Sequence, residues 1–319
     1  MTIIARIALY IPLALCANIA IAQTYPFKTI RYVVPYGTGG TSDITARLVA
    51  EKLGAALGVT VMVDNRPGAG GNIGAELVAK AAPDGYTLVG GFAFLATSPS
   101  LYAKLSYEPL KDLAPVILMS AAPQVLVVHP SLPAKTVKEV IALAKRRPGE
   151  LNFPSFGNGS SSHLSGELFK SMAGVDMLHV PYANGMQGVL DLVSGRMSLM
   201  FNVVTEMMPF IPQLRGIAVT SLKRSHLLPH LPTVDESGLP GFTITAWQGV
   251  MAPAKTSPEV IARLNGEIAR VLQAPAMRKR MEELGLDIIA STPEQFAQHL
   301  RAETDKWAKV IKASGISLQ

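Results

Sequence analysis

The chain has 319 residues, room for one large domain or two of ordinary size, and its 49% hydrophobic and 16% charged residues rule out disorder of the whole. A formal net charge of +6 is mild for this length. The longest basic runs, Lys145-Arg146-Arg147 and Arg278-Lys279-Arg280, read as solvated helix ends, so nucleic acid is not an expected partner.

In chain order the first segment has the three parts of a secretory signal peptide. Arg6 is its basic start, residues 7–21 its apolar stretch, and Ala20-Ile21-Ala22 its small-x-small cleavage site before Gln23. Pro12, Asn18 and the cleavage site argue against a membrane anchor. Cys16 is the only cysteine, and Leu15 before it departs from the small residue that precedes a lipidated cysteine. Cleavage near Ala22 leaves a mature chain with no thiol, which excludes disulfides, thiolate chemistry and cysteine zinc sites. The mature chain is expected to be exported and soluble, since no later run reaches the length of a membrane helix.

After Tyr25-Pro26 the pattern becomes strand, loop, helix. "TIRYVVPY" predicts a strand, and Ile44, Leu48, Val49, Leu53 and Ala56 then recur at helical spacing. "VTVMVDN" predicts a second strand, residues 72–82 a helix closed by Pro83-Asp84-Gly85, and "YTLVGGF" a third strand; "ATSPSLY" is expected to open a short helix. In "PVILMSAAPQVLVVHP" two apolar runs are split by Pro123, and a helix over 137–145 follows. "LNFPSFGNGSSSHLSGELFKSMAG" and "DMLHVPYANGMQGVLDLVSGRMSLMFNVV" repeat the strand-loop-helix unit, the first with Leu164, Leu168, Phe169 and Met172 on one helical face. "LRGIAVTS" and "FTITAWQGVMAP" predict further strands. The tail is helical, with capped starts at Thr256-Ser257-Pro258-Glu259 and Thr292-Pro293-Glu294-Gln295. Strands separated by helices predict an α/β protein with parallel sheets covered on both faces, in two series that part near residues 115–130.

Two loops carry the chemistry. "PYGTGGTSD" and "FGNGSSSHLSGELF" each lead from a strand into a helix, one in each series. At such helix starts the first amides are unpaired and the dipole is positive, so each loop offers backbone N–H groups and hydroxyls to an anion. Neither offers a guanidinium. Two such loops facing each other across a cleft suit a small carboxylate that must later be released. The alternative is that the glycines shape turns and Ser42 or Asp43 only caps a helix. "PYANGMQGV" and "ATSPSLY" are further helix entries that could line the same cleft.

Nucleotide binding fits poorly: Gly37, Gly39 and Ser42 miss the third glycine of the dinucleotide fingerprint, and no Walker lysine follows. An exported serine hydrolase is the competing reading, with Ser161 as nucleophile, His163 as base and Asp43 to orient it; yet His163 stands where a nucleophile elbow has glycine. His163 otherwise packs in the first helical turn or lines the cleft. His226 and His230 have helical metal-pair spacing, but Pro229 between them breaks it, so no metal and no cofactor is expected.

"YVVPYGTGGTSDITARLVAEKL", "VDNRPGAGGNIGAELVAKAAPDGYTL", "FGNGSSSHLSGELF", "VPYANGMQGVLDLVSGRMSLMF", "LPTVDESGLPGF" and "WQGVMAPAKTSPEVIARLN" together resemble the Bug family of extracytoplasmic solute receptors associated with tripartite tricarboxylate transporters. The likeness covers residues 25–319 in order. It implies a type II periplasmic-binding-protein fold, two α/β lobes joined by crossover strands with a ligand cleft between them. The expected division is 1–22 signal peptide, 23–122 first part of lobe one, 123–225 lobe two, and 226–319 a return to lobe one with C-terminal helices.

The resemblance also implies a periplasmic, non-catalytic, monomeric receptor that holds a small carboxylate and delivers it to a membrane permease or a signalling partner. The ligand-binding residues it implies are Tyr36, Gly39, Gly40, Thr41, Ser42, Asp43 and Ser98 in lobe one. In lobe two they are Phe156, Gly157, Ser160, Ser161, His163, Tyr182, Asn184 and Asn202. The chain departs from the family pattern at Ala183, where a lysine is usual, at Ser98, usually asparagine, and at Asn202, usually aspartate. These departures point to a mono- or dicarboxylate with an apolar or aromatic body, in a second-lobe pocket with less charge than usual.

Overall fold

A computed structural model describes residues 25–314 of the chain, so the signal-peptide segment and Cys16 lie outside the described residues. The first half is a strand-helix alternation: β1 (Ile30–Val34), α1 (Thr41–Leu57), β2 (Val61–Asn65), α2 (Asn72–Ala79), β3 (Thr87–Gly91) and α3 (Phe94–Leu101). A single turn, α4 (Pro109–Asp112), then leads into the 16-residue β4 (Leu113–Val128). The second half comprises α5 (Val137–Arg146), β5 (Asn152–Ser155), α6 (Ser161–Ala173), β6 (Leu178–Pro181), α7 (Gly185–Val193), β7 (Leu199–Val203), α8 (Val204–Met207) and β8 (Arg215–Val219). The chain returns through β9 (Thr245–Pro253) and ends in α9 (Pro258–Gln273), α10 (Pro275–Glu283), β10 (Asp287–Ile288) and α11 (Pro293–Ser314).

β1 shows why the first half needs helices on both faces of its sheet. Ile30, Tyr32 and Val34 point into one apolar cluster with Ala46, Val49 and Leu53 of α1 and Leu264 and Ile268 of α9. Val33 points the other way, into a cluster with Ala75, Phe94, Phe296, Leu300 and Trp307. A strand buried on both sides reads as a nearly continuous apolar run, here broken only by Arg31, which pairs with Asp64. α9 and α11 are fixed at their starts by side-chain caps: Ser257 Oγ accepts from the Val260 amide, and Thr292 and Gln295 cap each other's amides reciprocally. Within α6, Leu164, Leu168 and Phe169 are buried, but Met172 is exposed and lies outside the expected stripe.

The sheet is mixed rather than wholly parallel. β1 pairs in parallel with β2 and β3, whereas β9 runs antiparallel to β3 and β4; β5 and β6 form a separate, parallel two-stranded sheet. β4 is one continuous strand through Pro123, not two runs split by it. From Leu113 to Pro123 it pairs with β9, and from Gln124 to Val128 it pairs with β7 on one side and β8 on the other. Pro123 lacks an N–H and stands where the partners change, so the proline is accommodated without ending the strand. Beyond it Leu126 and Val128 pack with Val140, Phe153, Phe169 and Phe201, while Val125 and Val127 pack with Val189, Leu192 and Met207.

Residues 226–244 stay with this second half. Thr233 bridges Val219 of β8 in parallel, the Val234 amide bonds the Val219 carbonyl at 2.9 Å, and Leu228 and Leu231 join the Val125 cluster. Among the described residues no helix is long and apolar enough to cross a membrane.

Candidate functional site

Six residues separate the end of β1 from the start of α1. Gly39 takes φ +88°, a left-handed conformation that suits glycine, and its amide bonds Asp43 Oδ2 at 3.1 Å. Gly40 is the N-cap and carries no side chain to satisfy the amides that follow it. Asp43 therefore shapes the loop from behind. Burial would raise its carboxyl, but hydrogen bonds from Arg47, the Gly39 amide and Asn65 together hold it below the ordinary carboxylate range. "ATSPSLY" does not open α3, which starts at Phe94; Pro99 lies inside the helix and Ser98 is fully buried, with no hydrogen-bond partner for its Oγ among the described residues.

The loop from β5 to α6 is built in the same way, with Gly157 and Gly159 at φ +100° and +77°. Here serines do the shaping. Ser160 Oγ donates to the Gly157 carbonyl at 2.6 Å and accepts from the His163 amide, and Ser162 Oγ accepts from the Phe156 amide at 3.1 Å. Ser161 is the member of the trio whose hydroxyl the loop does not engage.

The two helix starts share one cavity, lined on one side by Tyr36, Thr41, Ser42, Phe92 and Ala93 and on the other by Phe156, Ser160, Ser161, Ser162 and Asn202, with Trp247 and Gln248 of β9 behind them. Among the described residues no Lys, Arg or His lines it. Its one charged side chain is Glu206, in the short α8 that follows β7. Glu206 Oε1 accepts the Thr41 amide at 2.6 Å, so a carboxylate of the second half already sits on the start of α1. Gly157 and Tyr182 line a neighbouring cavity that shares Tyr36 and Phe156 with the first. Burial holds the Tyr36 phenol above its ordinary range, so it stays a neutral donor.

Of the expected ligand-binding residues, the structure brings Tyr36, Thr41, Ser42, Phe156, Ser160, Ser161 and Asn202 to one cavity, with Gly39 and Gly40 in the loop behind it. It does not bring Asp43, Ser98, His163 or Asn184 there. Asn184 caps α7, its Oδ1 accepting from the Met186 amide. Asn202 is turned onto its own backbone, its Oδ1 accepting from the Val203 amide at 2.8 Å.

His163 is buried on the far side of α6. Its Nδ1 accepts from the Gly159 amide at 3.0 Å, its ring stacks on His179 at 3.9 Å, and its Nε2 lies 3.9 Å from Glu167. With neither ring nitrogen turned to Ser161, and Asp43 tied to Arg47, the Ser161–His163–Asp43 arrangement is absent. His226 and His230 are both exposed, and among the described residues no cluster could hold a metal.

Glu206, Trp247, Gln248 and Phe92 were not foreseen. One signal was available for Glu206: it follows the carboxyl end of β7, where open α/β sheets bind ligands. The second-half pocket is thus not simply depleted of charge, because Glu206 brings a carboxylate three residues beyond the end of that strand.

Residues 45–316 match the family model described as the tripartite tricarboxylate transporter family receptor. The chain belongs to this receptor family. BugT of Bordetella pertussis (strain Tohama I) is 36% identical over 321 residues, 99% of this chain and 98% of the relative. A protein encoded in the tcbD-tcbE intergenic region of Pseudomonas sp. (strain P51) is 38% identical over 312 residues, 96% of this chain and 93% of the relative. Among solved structures, R. palustris Rpa4515 with adipate superposes with a TM-score of 0.87 at 37% identity, covering 92% of this chain and all of that one. MatC from Rhodopseudomonas palustris with bound malate gives 0.85 at 31% identity, over 90% of this chain and 100% of that one. The periplasmic binding protein BugD gives 0.85 at 33% identity, over 92% and 100%. The receptor family and the two-lobed α/β architecture of these neighbours account for the fold described above.

Proposed function

We propose that this protein is a periplasmic receptor that captures a small carboxylate-bearing solute between its two halves and delivers it, without catalysis and as a monomer, to a membrane permease of the tripartite tricarboxylate type or to a signalling partner. The observation that carries the reading is the pair of helix starts, α1 and α6, opening into one cavity with no cationic side chain on its wall. The α6 end is the carboxylate site in this reading: the first amides of a helix have no helical acceptor, and Ser161, whose hydroxyl the loop leaves free, lines the cavity. Relatives solved with adipate and malate support the ligand class.

The lobe boundary follows the strand partners, with residues 23–122 and 245–319 in lobe one and 123–244 in lobe two. The segment 226–244 moves from lobe one to lobe two on its pairing with β8. Closure is then a hinge at Pro123 and Thr245, stabilised by contacts that ligand makes with both lobes.

The test is a thermal-shift screen of small carboxylates against their matched amides. A ligand at a hundred times its Kd stabilises by about 2.7 kcal/mol, which is readily seen. A shift with the acid and none with the amide supports the reading. Ser161→Ala should weaken the hit about tenfold, as expected for one hydrogen bond to a charged group, with no hydrolysis of generic esters by either protein. Ester turnover that depends on Ser161 would overturn it.

A further inference from the structure

Glu206 brings a carboxylate into a cavity otherwise without a charged side chain among the described residues. Its Oε1 is fixed by the Thr41 amide of the opposite half at 2.6 Å, so the carboxylate cannot swing away without opening the cleft. Its Oε2 is buried and, among the described residues, meets no donor. Gln248 of β9 also lines the cavity, only 5% exposed, and its Oε1 likewise has no donor among the described residues. The cavity thus holds two buried acceptors without donors, one of them a carboxylate. At the α6 end it presents donors, the free amides and the Ser161 hydroxyl. Tyr36, Phe92, Phe156 and Trp247 add a largely apolar surface that carries two further donors, the Tyr36 hydroxyl and the buried Trp247 Nε1, which has no partner among the described residues.

A buried acceptor without a partner is costly, and a second carboxylate brought to Glu206 and Gln248 would leave both acceptors unsatisfied and add like-charge repulsion. A ligand bearing an N–H donor there satisfies them. We propose that Glu206 and Gln248 form a donor-recognising subsite, and that the preferred ligand is a monocarboxylate carrying an ammonium group at the end remote from its carboxylate. The inference rests on the proposed carboxylate reading of the α6 end, and it makes Glu206 the residue that discriminates against dicarboxylates. Discrimination of this kind works by rejecting the wrong ligand as much as by gripping the right one.

Four compounds test it by calorimetric titration of the protein: 6-aminohexanoate, hexanoate, adipate and 1-aminohexane. Wild type should bind 6-aminohexanoate about tenfold or more tighter than hexanoate and adipate. Glu206→Gln, which keeps the shape and the Thr41 contact, should reduce the ratio of 6-aminohexanoate to adipate affinity by about tenfold or more. An unchanged melting temperature without ligand shows that the variant is folded.

Adipate or hexanoate binding as tightly as 6-aminohexanoate to wild type overturns the subsite while leaving the carboxylate reading intact. So does a ratio that Glu206→Gln leaves unchanged. If 1-aminohexane binds as well as 6-aminohexanoate, or if none of the three carboxylates binds, the carboxylate reading fails and takes this inference with it.

Discussion

Replacing Gly40 by aspartate separates the binding chemistry from the fold. Gly40 has extended backbone, φ −81° and ψ 170°, which any residue adopts, and it is the N-cap of α1. Aspartate is a preferred N-cap, and relative to glycine the helix itself should gain about 0.3 kcal/mol. A Cβ at this position would lie 3.4 Å from Glu206 Oε1 and 3.8 Å from the Phe156 ring, ordinary contact distances. The new carboxylate would then sit about 4 Å from that of Glu206, where like charges at an effective dielectric of about 20 repel by about 4 kcal/mol. That repulsion acts only when the halves meet, so it opposes closure and leaves the separate halves untouched. Titration of Gly40→Asp with the best carboxylate should show affinity reduced about a hundredfold or more, with an unchanged melting temperature in the absence of ligand. Gly40→Asn has the same size without the charge and should remain within about tenfold of wild type, and adding Glu206→Gln to Gly40→Asp should restore much of the loss. An aspartate variant that binds within about threefold of wild type, or an asparagine variant that fails as badly, would refute the electrostatic argument.

Two further outcomes follow from packing and from buried histidine. A Cβ on Gly185, at the start of α7, would lie 2.2 to 2.3 Å from three atoms of the Phe156 ring. Gly185→Ala should therefore displace a cavity wall, lower stability by about 1–3 kcal/mol and weaken ligand binding. Gly266→Ala on α9, whose Cβ would meet nothing within 4 Å, should leave binding alone and raise stability slightly in the same melting and titration assays. The stacked pair His163 and His179 should make stability depend on pH. Burial first, then the His179 and Lys170 charges, hold His163 well below its ordinary value, and burial followed by Lys170 lowers His179 from 6.5 to about 4. Between those limits the unfolded chain binds a proton at position 179 that the folded chain does not, so stability rises with pH. The contribution is complete above 6.5 and falls away as pH drops to about 4, a loss of up to about 3 kcal/mol for His179. Denaturant titrations near pH 4.5 and near pH 7.5 should show the difference in wild type and a smaller one in His179→Gln, and equal profiles would refute it.

The elements were legible wherever local pattern decides them. β1, α1, β3 and α6 follow from apolar runs and helical spacing, and the caps at Ser257 and Thr292 could be read from four residues each. What failed was what depends on partners. β4 was read as two strands because Pro123 ends most strands. Here the partner switch from β9 to β7 and β8 falls at that residue, which no local window reveals. His163 looked like a cleft residue because it follows three serines that are. The first turn of α6 sends its ring to the opposite face, where His179, 16 residues further on, waits to stack with it.

Glu206 was hidden for the same reason. Its partner, the Thr41 amide, lies 165 residues earlier, and nothing in the run "NVVTEMM" says that a carboxylate will close onto a helix start in the other half. The contact explains why the glycine loop at residues 37–40 lacks a basic side chain. An arginine there would pair with Glu206 permanently and lock the halves together. A backbone amide gives a directed bond that can break when the halves part, since it carries only a partial charge. A receptor has to close on its ligand and then surrender it. One fixed carboxylate facing helix amides allows both motions, and its second oxygen is left to choose what is held between them.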